Sequence, residues 1–164
     1  MKLAAAALLV FGTMAGAGES SARAADPVVV RAFVTDGCTY WPEGTRGEPN
    51  LWHHCCVDHD LALWAGGTHP ERLATDLRLR DCVAATGQPE QAEIVYLGVR
   101  IGAMYPIKNG MQWGNAWSQH ETRRTKLKPE EIDLLEAEIF RPVYDSVATI
   151  EQRRALIERL RSEK

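Results

Sequence analysis

The chain carries the sequence Trp52-His53-His54-Cys55-Cys56-Val57-Asp58-His59-Asp60, and its architecture follows from this segment. The nine residues include two adjacent cysteines, three histidines and two acids. Core segments seldom hold so many polar and reactive side chains, because burying them without partners is costly. Two interpretations compete for the segment: a catalytic helix held by disulfides, or a transition-metal site.

The N-terminal residues predict that the chain is exported. Lys2 precedes a mostly apolar run at residues 3–18, and residues 22–24 have the small-x-small pattern of a cleavage site. We therefore expect a signal peptide at 1–24 and a single domain at 25–164, secreted or periplasmic. An uncut membrane anchor is disfavoured, because a span needs about 20 apolar residues.

All four cysteines lie after the expected cleavage site, at Cys38, Cys55, Cys56 and Cys82. An even number of cysteines in an exported chain usually means disulfides. A bond between adjacent cysteines would be strained, so each member of the central pair needs a distant partner. Two pairings remain open, 38–56 with 55–82 or 38–55 with 56–82.

The remaining pattern predicts a mainly α fold. A long loop surrounds Cys38, and a helix is expected over residues 50–64, with Asn50 as its cap and Gly66 as its end. The sequence from Thr68 to Glu71 is a capping box that starts a second helix. Because the connection between the two helices is short, they should pack antiparallel.

Three further helices are expected over residues 90–104, 129–140 and 150–161. In the first of them Gly98 and Gly102 would permit a close approach to a neighbouring element. Residues 107–124 are expected to be irregular. The formal net charge of −3 gives no concentrated basic face, so no nucleic-acid partner is expected.

A histidine beside an aspartate on a helix can support two separate functions, since the side chains of His59 and Asp60 point about 100° apart. An imidazole accepts a proton from water when a carboxylate holds its other nitrogen, and the antiparallel packing brings Asp76 or Asp81 within reach. The second carboxylate can bind a hard cation such as Ca²⁺, with loop carbonyls as further ligands.

These residues resemble a known family. The segment 55–60 is similar to the Cys-Cys-x-x-His-Asp signature of secreted phospholipase A2. Asp76 precedes Cys82 by six residues, as the catalytic aspartate does in the second helix of that family, and Gly37-Cys38 resembles the start of its calcium loop. The resemblance covers residues 36–82, about a third of the chain.

The resemblance implies a role for each matching residue. His59 would be the general base, Asp76 the carboxylate that orients it, and Asp60 a calcium ligand. The other calcium ligands would be the backbone carbonyls of Gly37, Thr39 and Trp41. The implied disulfides are Cys38–Cys56 and Cys55–Cys82.

The implied activity is Ca²⁺-dependent hydrolysis of the sn-2 ester of phospholipids at a membrane surface. The loop at 39–44 is bulkier than the glycine-rich loop of the family, and Leu63 stands where a tyrosine usually supports the aspartate. Tyr40 or Tyr96 would have to replace that tyrosine. The alternative is a catalytically degenerate member that binds lipid or a protein partner.

A third interpretation is an exported protein that binds a transition metal. It would use soft and borderline ligands and would require free thiols. Its candidate ligands are His53, His54, Cys55, Cys56 and His59.

Overall fold

The computed structural model describes residues 28–104, 112–118 and 125–162. The elements of this part are α1 (His53–Ala65), α2 (His69–Ala85), α3 (Pro89–Met104), α4 (Pro129–Ile139), a 3-10 turn (Pro142–Tyr144) and α5 (Ile150–Ser162). The β-pairing among the described residues is one antiparallel bridge between Val30 and Trp117. The predicted mainly α fold is confirmed. The expected signal peptide lies outside the described residues.

The start of α1 differs from the prediction. Asn50 does not cap the helix; its carbonyl accepts a hydrogen bond from the backbone of His53 at 3.2 Å in a preceding turn. The N-cap position belongs to Trp52, which gives no side-chain cap. Trp52 is fixed there by burial and by its indole, which donates to the carbonyl of Pro42 at 2.7 Å. Tertiary packing therefore overrides the capping preference of asparagine.

The predicted start of α2 is confirmed. The Thr68 hydroxyl accepts from the backbone of Glu71, and the Glu71 carboxylate accepts from the backbone of Thr68, while Pro70 occupies the first turn. Between the helices, Gly66 has a φ of 78°, a left-handed conformation that ends α1 and suits glycine.

Two disulfides hold α1 in place. Cys38 is bonded to Cys56 and Cys55 to Cys82, and no cysteine in the chain is free. Cys55 lies near the start of α1 and Cys82 near the end of α2, so the two helices run antiparallel, as predicted. Paired cysteines of this kind are typical of proteins that fold in an oxidising compartment.

Helix α1 contributes to two hydrophobic clusters. The disulfide-side cluster joins α1 to α2 and α3, and its buried members are Cys38, Trp52, Cys55, Cys56, Leu79, Val83, Ala92 and Val95. The C-terminal cluster joins α1 to α4, α5 and the preceding segments, and it includes Phe33, Leu61, Trp64, Trp117, Ile132, Leu135 and Leu156. The C-terminal helices are therefore packed into the core around α1.

The irregular segment 112–118 satisfies the C-terminal end of α1. The backbone of Gly114 donates to Leu63 at 2.7 Å, and that of Ala116 donates to Trp64 at 3.0 Å. The indole of Trp117 donates to Ala65 at 2.8 Å. The last carbonyls of a helix lack partners within it, so this segment allows the end of α1 to be buried.

Helix α3 packs through Ala92 and Val95 and exposes Ile94, Leu97 and Ile101. The close approach expected at its glycines is not seen among the described residues, because a Cβ at either position would have no atom within 4 Å. None of the helices in the described ranges is long and apolar enough to cross a bilayer.

Candidate active site

The centre of the candidate site is a contact between two buried side chains on α1 and α2. His59 is 7% exposed and Asp76 is 1% exposed. Nε2 of His59 lies 2.9 Å from Oδ1 of Asp76. A carboxylate can only accept hydrogen bonds, so Nε2 carries the proton and donates it. The neutral imidazole then has Nδ1 as an acceptor.

The free nitrogen of His59 is positioned for chemistry. Nδ1 makes no hydrogen bond to another described residue. A water molecule that donates to Nδ1 would face a base whose other side is fixed by Asp76. This is the arrangement in which a histidine removes a proton from a nucleophile.

Asp76 is held on both oxygens. Oδ2 accepts a hydrogen bond from Nη1 of Arg100 on α3 at 2.8 Å, opposite the bond from His59 to Oδ1. Burial by itself would raise the pKa of Asp76, but the hydrogen bonds from His59 and Arg100 outweigh it and lower that pKa. Asp76 is therefore a carboxylate at neutral pH.

Arg100 was not identified from the sequence. Tyr40 and Tyr96 were the possible replacements for the missing tyrosine, and neither is among the described residues that donate a hydrogen bond to Asp76, which are His59 and Arg100. Tyr40 is fully exposed, and the ring of Tyr96 lies 5.6 Å below the guanidinium of Arg80. The available signal was that Arg100 is the single basic residue of α3.

The structure also separates the two aspartates that were candidates for orienting the base. Asp81 is exposed and accepts hydrogen bonds from its neighbour Arg80 at 2.8 and 3.0 Å. It lies on a different side of α2 from Asp76. Asp76 alone of the two contacts His59.

Asp60 points away from its neighbour, toward the loop that precedes α1. It is 5% exposed, and its Oδ2 accepts a hydrogen bond from the Thr35 hydroxyl at 2.5 Å. The same hydroxyl accepts from the backbone of Gly37 at 3.0 Å. Burial raises the pKa of Asp60 to about 7, against the lowering effect of Thr35 and with a further rise from Asp36.

The loop is held in shape by Glu43. Its Oε1 accepts from the backbone of Cys38 at 3.4 Å and lies 3.0 Å from Nδ1 of His53. Gly37 has a φ of 71°, and a Cβ at that position would lie 1.8 Å from Glu43 Oε1. The backbone angle therefore favours glycine, and a larger residue would also have to displace the Glu43 carboxylate. The Glu43 side chain therefore stabilises the loop through these contacts with Cys38 and His53.

The three predicted carbonyl ligands lie in this loop. The carbonyls of Gly37, Thr39 and Trp41 accept no hydrogen bond from another described residue. These carbonyls and the buried carboxylate of Asp60 are all oxygen donors. Ca²⁺ prefers ligands of this type, so the chemistry of the residues suits it.

The candidate ligands for a transition metal diverge. His53 faces Glu43, and His59 faces Asp76. His54 Nε2 lies 3.4 Å from Cys55 Sγ and 3.6 Å from the Sγ of its disulfide partner. Because no cysteine is free, the thiolates that this interpretation requires are not formed.

Comparison of the chain with protein-family models, with curated proteins and with solved structures gives no match in any of the three. The functional interpretation therefore rests on the motif at residues 36–82 and on the contacts described above.

Proposed function

We propose that the protein is an exported phospholipid hydrolase in which His59 activates a water molecule. The observation that carries this proposal is the 2.9 Å hydrogen bond between His59 Nε2 and the buried carboxylate of Asp76, which leaves Nδ1 as the second ring nitrogen. The resemblance to secreted phospholipase A2 gives the substrate class and the sn-2 position.

In the proposed reaction, Nδ1 of His59 removes a proton from water as the water oxygen attacks the ester carbonyl. The resulting tetrahedral intermediate collapses when the carbon–oxygen bond to the glycerol breaks. The protonated imidazole returns its proton to the leaving alkoxide, which gives a fatty acid and a lysophospholipid. Asp76 stabilises the imidazolium throughout and keeps the ring oriented.

Attack by water is favoured over a covalent route by the residues around the site. All four cysteines are in disulfides, so no thiol nucleophile is available. Residues 28–104, which contain α1, α2 and α3, include no serine. The hydroxyl of Thr35, which lies in the loop before α1, donates its proton to Asp60.

Ca²⁺ would be held by Asp60 and by the carbonyls of Gly37, Thr39 and Trp41, and it would polarise the ester carbonyl. The neighbouring side chains suit a lipid surface. Tyr40 is fully exposed and Trp41 is 39% exposed on the same loop. Amphipathic aromatic rings are favoured at the boundary between lipid and water.

One observation favours a second function, in which the protein binds lipid or a protein partner without hydrolysis. Thr35 occupies one oxygen of Asp60, and burial raises the pKa of Asp60 to about 7. Both effects weaken the attraction of this carboxylate for a cation. A scaffold with this feature can keep a lipid-binding loop while its calcium site is lost.

The experiment uses vesicles of a phospholipid with a different labelled acyl chain at sn-1 and at sn-2. The purified mature protein is incubated with them in Ca²⁺ and in EGTA. The proposal predicts release of the sn-2 chain in Ca²⁺ and little release in EGTA. Binding to the vesicles with no release of either chain would favour the second function.

A further inference from the structure

We propose that reduction of the Cys55–Cys82 disulfide forms a binding site for a thiophilic divalent metal ion, with His54 Nε2 and the two cysteine thiolates as its ligands. Zn²⁺ suits this donor set, because thiolate sulfur and imidazole nitrogen are its usual ligands in proteins. The site lies apart from the proposed calcium loop, and the proposal does not depend on hydrolysis by His59.

The first support is the arrangement of three ligand atoms between the start of α1 and the end of α2. His54 Nε2 lies 3.4 Å from the Sγ of Cys55 and 3.6 Å from the Sγ of Cys82. In a tetrahedral site with Zn–S of about 2.3 Å and Zn–N of about 2.0 Å, nitrogen and sulfur ligands are about 3.5 Å apart. Both nitrogen–sulfur distances therefore match those of a zinc site.

The separation of the two sulfurs is the distance that has to change. Bonded sulfurs are about 2.0 Å apart, whereas two thiolates on one tetrahedral ion are about 3.8 Å apart. Rotation about the Cα–Cβ bonds of Cys55 and Cys82 can supply this separation. The helices can stay packed meanwhile, because Leu79 and Val83 of α2 belong to the same buried cluster as Cys55.

The second support is the accessibility of this disulfide. Cys55 is buried, whereas Cys82 is half-buried and His54 is exposed. An incoming thiolate can therefore attack the Sγ of Cys82 and displace the Sγ of Cys55. Cys38 and Cys56, which form the other disulfide, are both buried.

The reductant that the step requires is a dithiol, such as the active site of a thiol–disulfide exchange protein. Its first thiolate bonds to the Sγ of Cys82 and releases Cys55. Its second thiolate attacks that mixed disulfide and releases Cys82, so the reductant becomes a disulfide and two electrons and two protons pass to the protein. Metal binding then displaces the two thiol protons, and the neutral imidazole of His54 binds through Nε2.

The disulfide and the metal ion are mutually exclusive forms of one link between α1 and α2. The ion joins the two sulfurs that the disulfide joins, with His54 as a third ligand. Three protein ligands with water in the fourth position are an arrangement that zinc accepts, and the exposure of His54 gives water access. The reduced chain can thereby keep together the two helices that carry His59 and Asp76.

A packing role for His54 is the alternative, in which its imidazole rests against the disulfide and has no further function. The test therefore measures metal binding by the reduced mature protein. It uses the Cys38→Ala/Cys56→Ala background, in which Cys55 and Cys82 are the remaining cysteines. The protein is reduced with a dithiol, which is then removed under anaerobic conditions.

Co²⁺ is the probe, because its thiolate complexes show charge-transfer absorption. We expect a single Co²⁺ ion per reduced chain, displaced by Zn²⁺ but not by excess Ca²⁺, which takes oxygen ligands. His54→Ala should weaken binding by more than about tenfold, since loss of even an outer-shell partner of a metal ligand costs about 10–100-fold. His53→Ala is the matched control and should bind as the background does, because that neighbouring imidazole faces Glu43.

Equal affinity in the background and in His54→Ala would overturn the inference, and so would the lack of a charge-transfer band from the reduced background. Equal binding by the oxidised protein would overturn it as well, because the thiolates are absent there. If the background does not fold when oxidised, the same two histidine variants are compared in the fully reduced wild-type chain.

A reduced chain that unfolds without metal still gives a decisive result. Zn²⁺ should then restore the helical circular dichroism of the reduced chain, and His54→Ala should need more than about ten times as much Zn²⁺. No gain of helix with Zn²⁺ would overturn the inference. Absence of phospholipid hydrolysis would defeat the proposed function and leave each of these outcomes unchanged.

Discussion

His59 and Asp60 are neighbours in the chain with different environments. Successive side chains on a helix point about 100° apart, so one can face α2 while the other faces the loop before α1. His59 meets Asp76, and Asp60 meets Thr35. The motif therefore separates a proton-accepting group from a carboxylate that suits a cation, at the cost of burying both.

The contact between Asp76 and His59 leads us to predict that replacing Asp76 with asparagine, which has the same size, slows hydrolysis. Asp76→Asn keeps the size of the side chain but removes the charge that stabilises the imidazolium and fixes its tautomer. We expect the hydrolysis rate to fall by on the order of 10⁴-fold, as with the carboxylate-to-amide change in a Ser-His-Asp triad. Asp81→Asn is the matched control and should leave the rate within about twofold, because an exposed side chain outside the site has little influence. An Asp76→Asn variant with nearly full activity would exclude the proposed role.

Asp60 predicts a pH-dependent change in stability. Its pKa in the folded protein is raised from 3.8 to about 7, so the folded state binds the proton more tightly than the unfolded state does. The free energy of unfolding therefore falls as the pH rises from about 4 to about 7, because Asp60 loses its proton in the folded state. Above pH 7 the destabilisation by the carboxylate is complete. Without Ca²⁺, Asp60→Asn should melt several degrees higher than the wild type at pH 8.

The same Asp60→Asn comparison near pH 4 should show little difference, because the wild-type carboxyl is protonated in the folded state there. Exposed Asp133→Asn provides the control for a simple change in net charge. Thermal unfolding followed by circular dichroism at both pH values gives the measurement. A variant less stable than the wild type at pH 8 in EGTA would mean that Asp60 stabilises the fold as a charged group.

At the scale of elements, the start of α2 was predictable and the start of α1 was not. The capping box of Thr68 and Glu71 is complete within four residues, so local sequence defines it. The start of α1 depends on Trp52, whose contacts are made with the distant loop residues Pro42 and Glu43. Local preference at Asn50 carries no information about those contacts.

The residues of the candidate site also fall into those that the sequence identified and those that it did not. His59, Asp60 and Asp76 were identified because their spacing from the cysteines is a sequence pattern. Arg100 and Thr35 were missed because their contacts depend on how α3 and the loop pack against α1 and α2. A helical pattern gives the face of a residue, but not the rotation of one helix against another.

The disulfide between Cys55 and Cys82 joins the two helices that hold the site. It closes a segment with a sequence separation of 27 residues, and removal of such a bond costs about 3–4 kcal/mol in the chain-entropy model. We expect the Cys55→Ala/Cys82→Ala double variant to lose about this much unfolding free energy, measured by urea denaturation. The hydrolysis rate of this variant should also fall, because His59 and Asp76 lie on the two helices that the disulfide joins.

For the disulfide variant, the comparison is Cys38→Ala/Cys56→Ala, which releases the loop and leaves α1 bonded to α2. That variant should lose Ca²⁺-dependent hydrolysis while the His59–Asp76 contact remains. If both double variants keep the wild-type stability, the disulfides do not hold this fold together.

On the scale of the whole molecule, α1 is the element around which the described chain is arranged. One side packs against α2 and α3, the other against α4 and α5, and residues 112–118 cover its end. The sequence predicted α4 and α5 from their periodicity. It did not predict that they share a core with α1, because about sixty residues of chain separate the end of α1 at Ala65 from the start of α4 at Pro129.

The shared core predicts that a distant residue stabilises the site. Leu135 of α4 is fully buried in the C-terminal cluster. Truncation to alanine leaves a cavity, so Leu135→Ala should lower the unfolding free energy by about 2–5 kcal/mol. Leu134→Ala, at the exposed neighbouring position, should change it by less than about 0.5 kcal/mol. Equal effects of the two changes in urea denaturation would contradict the burial of Leu135 in the C-terminal cluster.

The most direct test of the central claim compares two histidine variants of the mature protein on phospholipid vesicles in Ca²⁺. His59→Ala removes the proposed base, whereas His69→Ala changes an exposed histidine at the start of α2. The account predicts that fatty-acid release disappears in folded, disulfide-bonded His59→Ala and continues at the wild-type rate in His69→Ala. Release that persists in His59→Ala, or that is absent from the folded wild type, would contradict it.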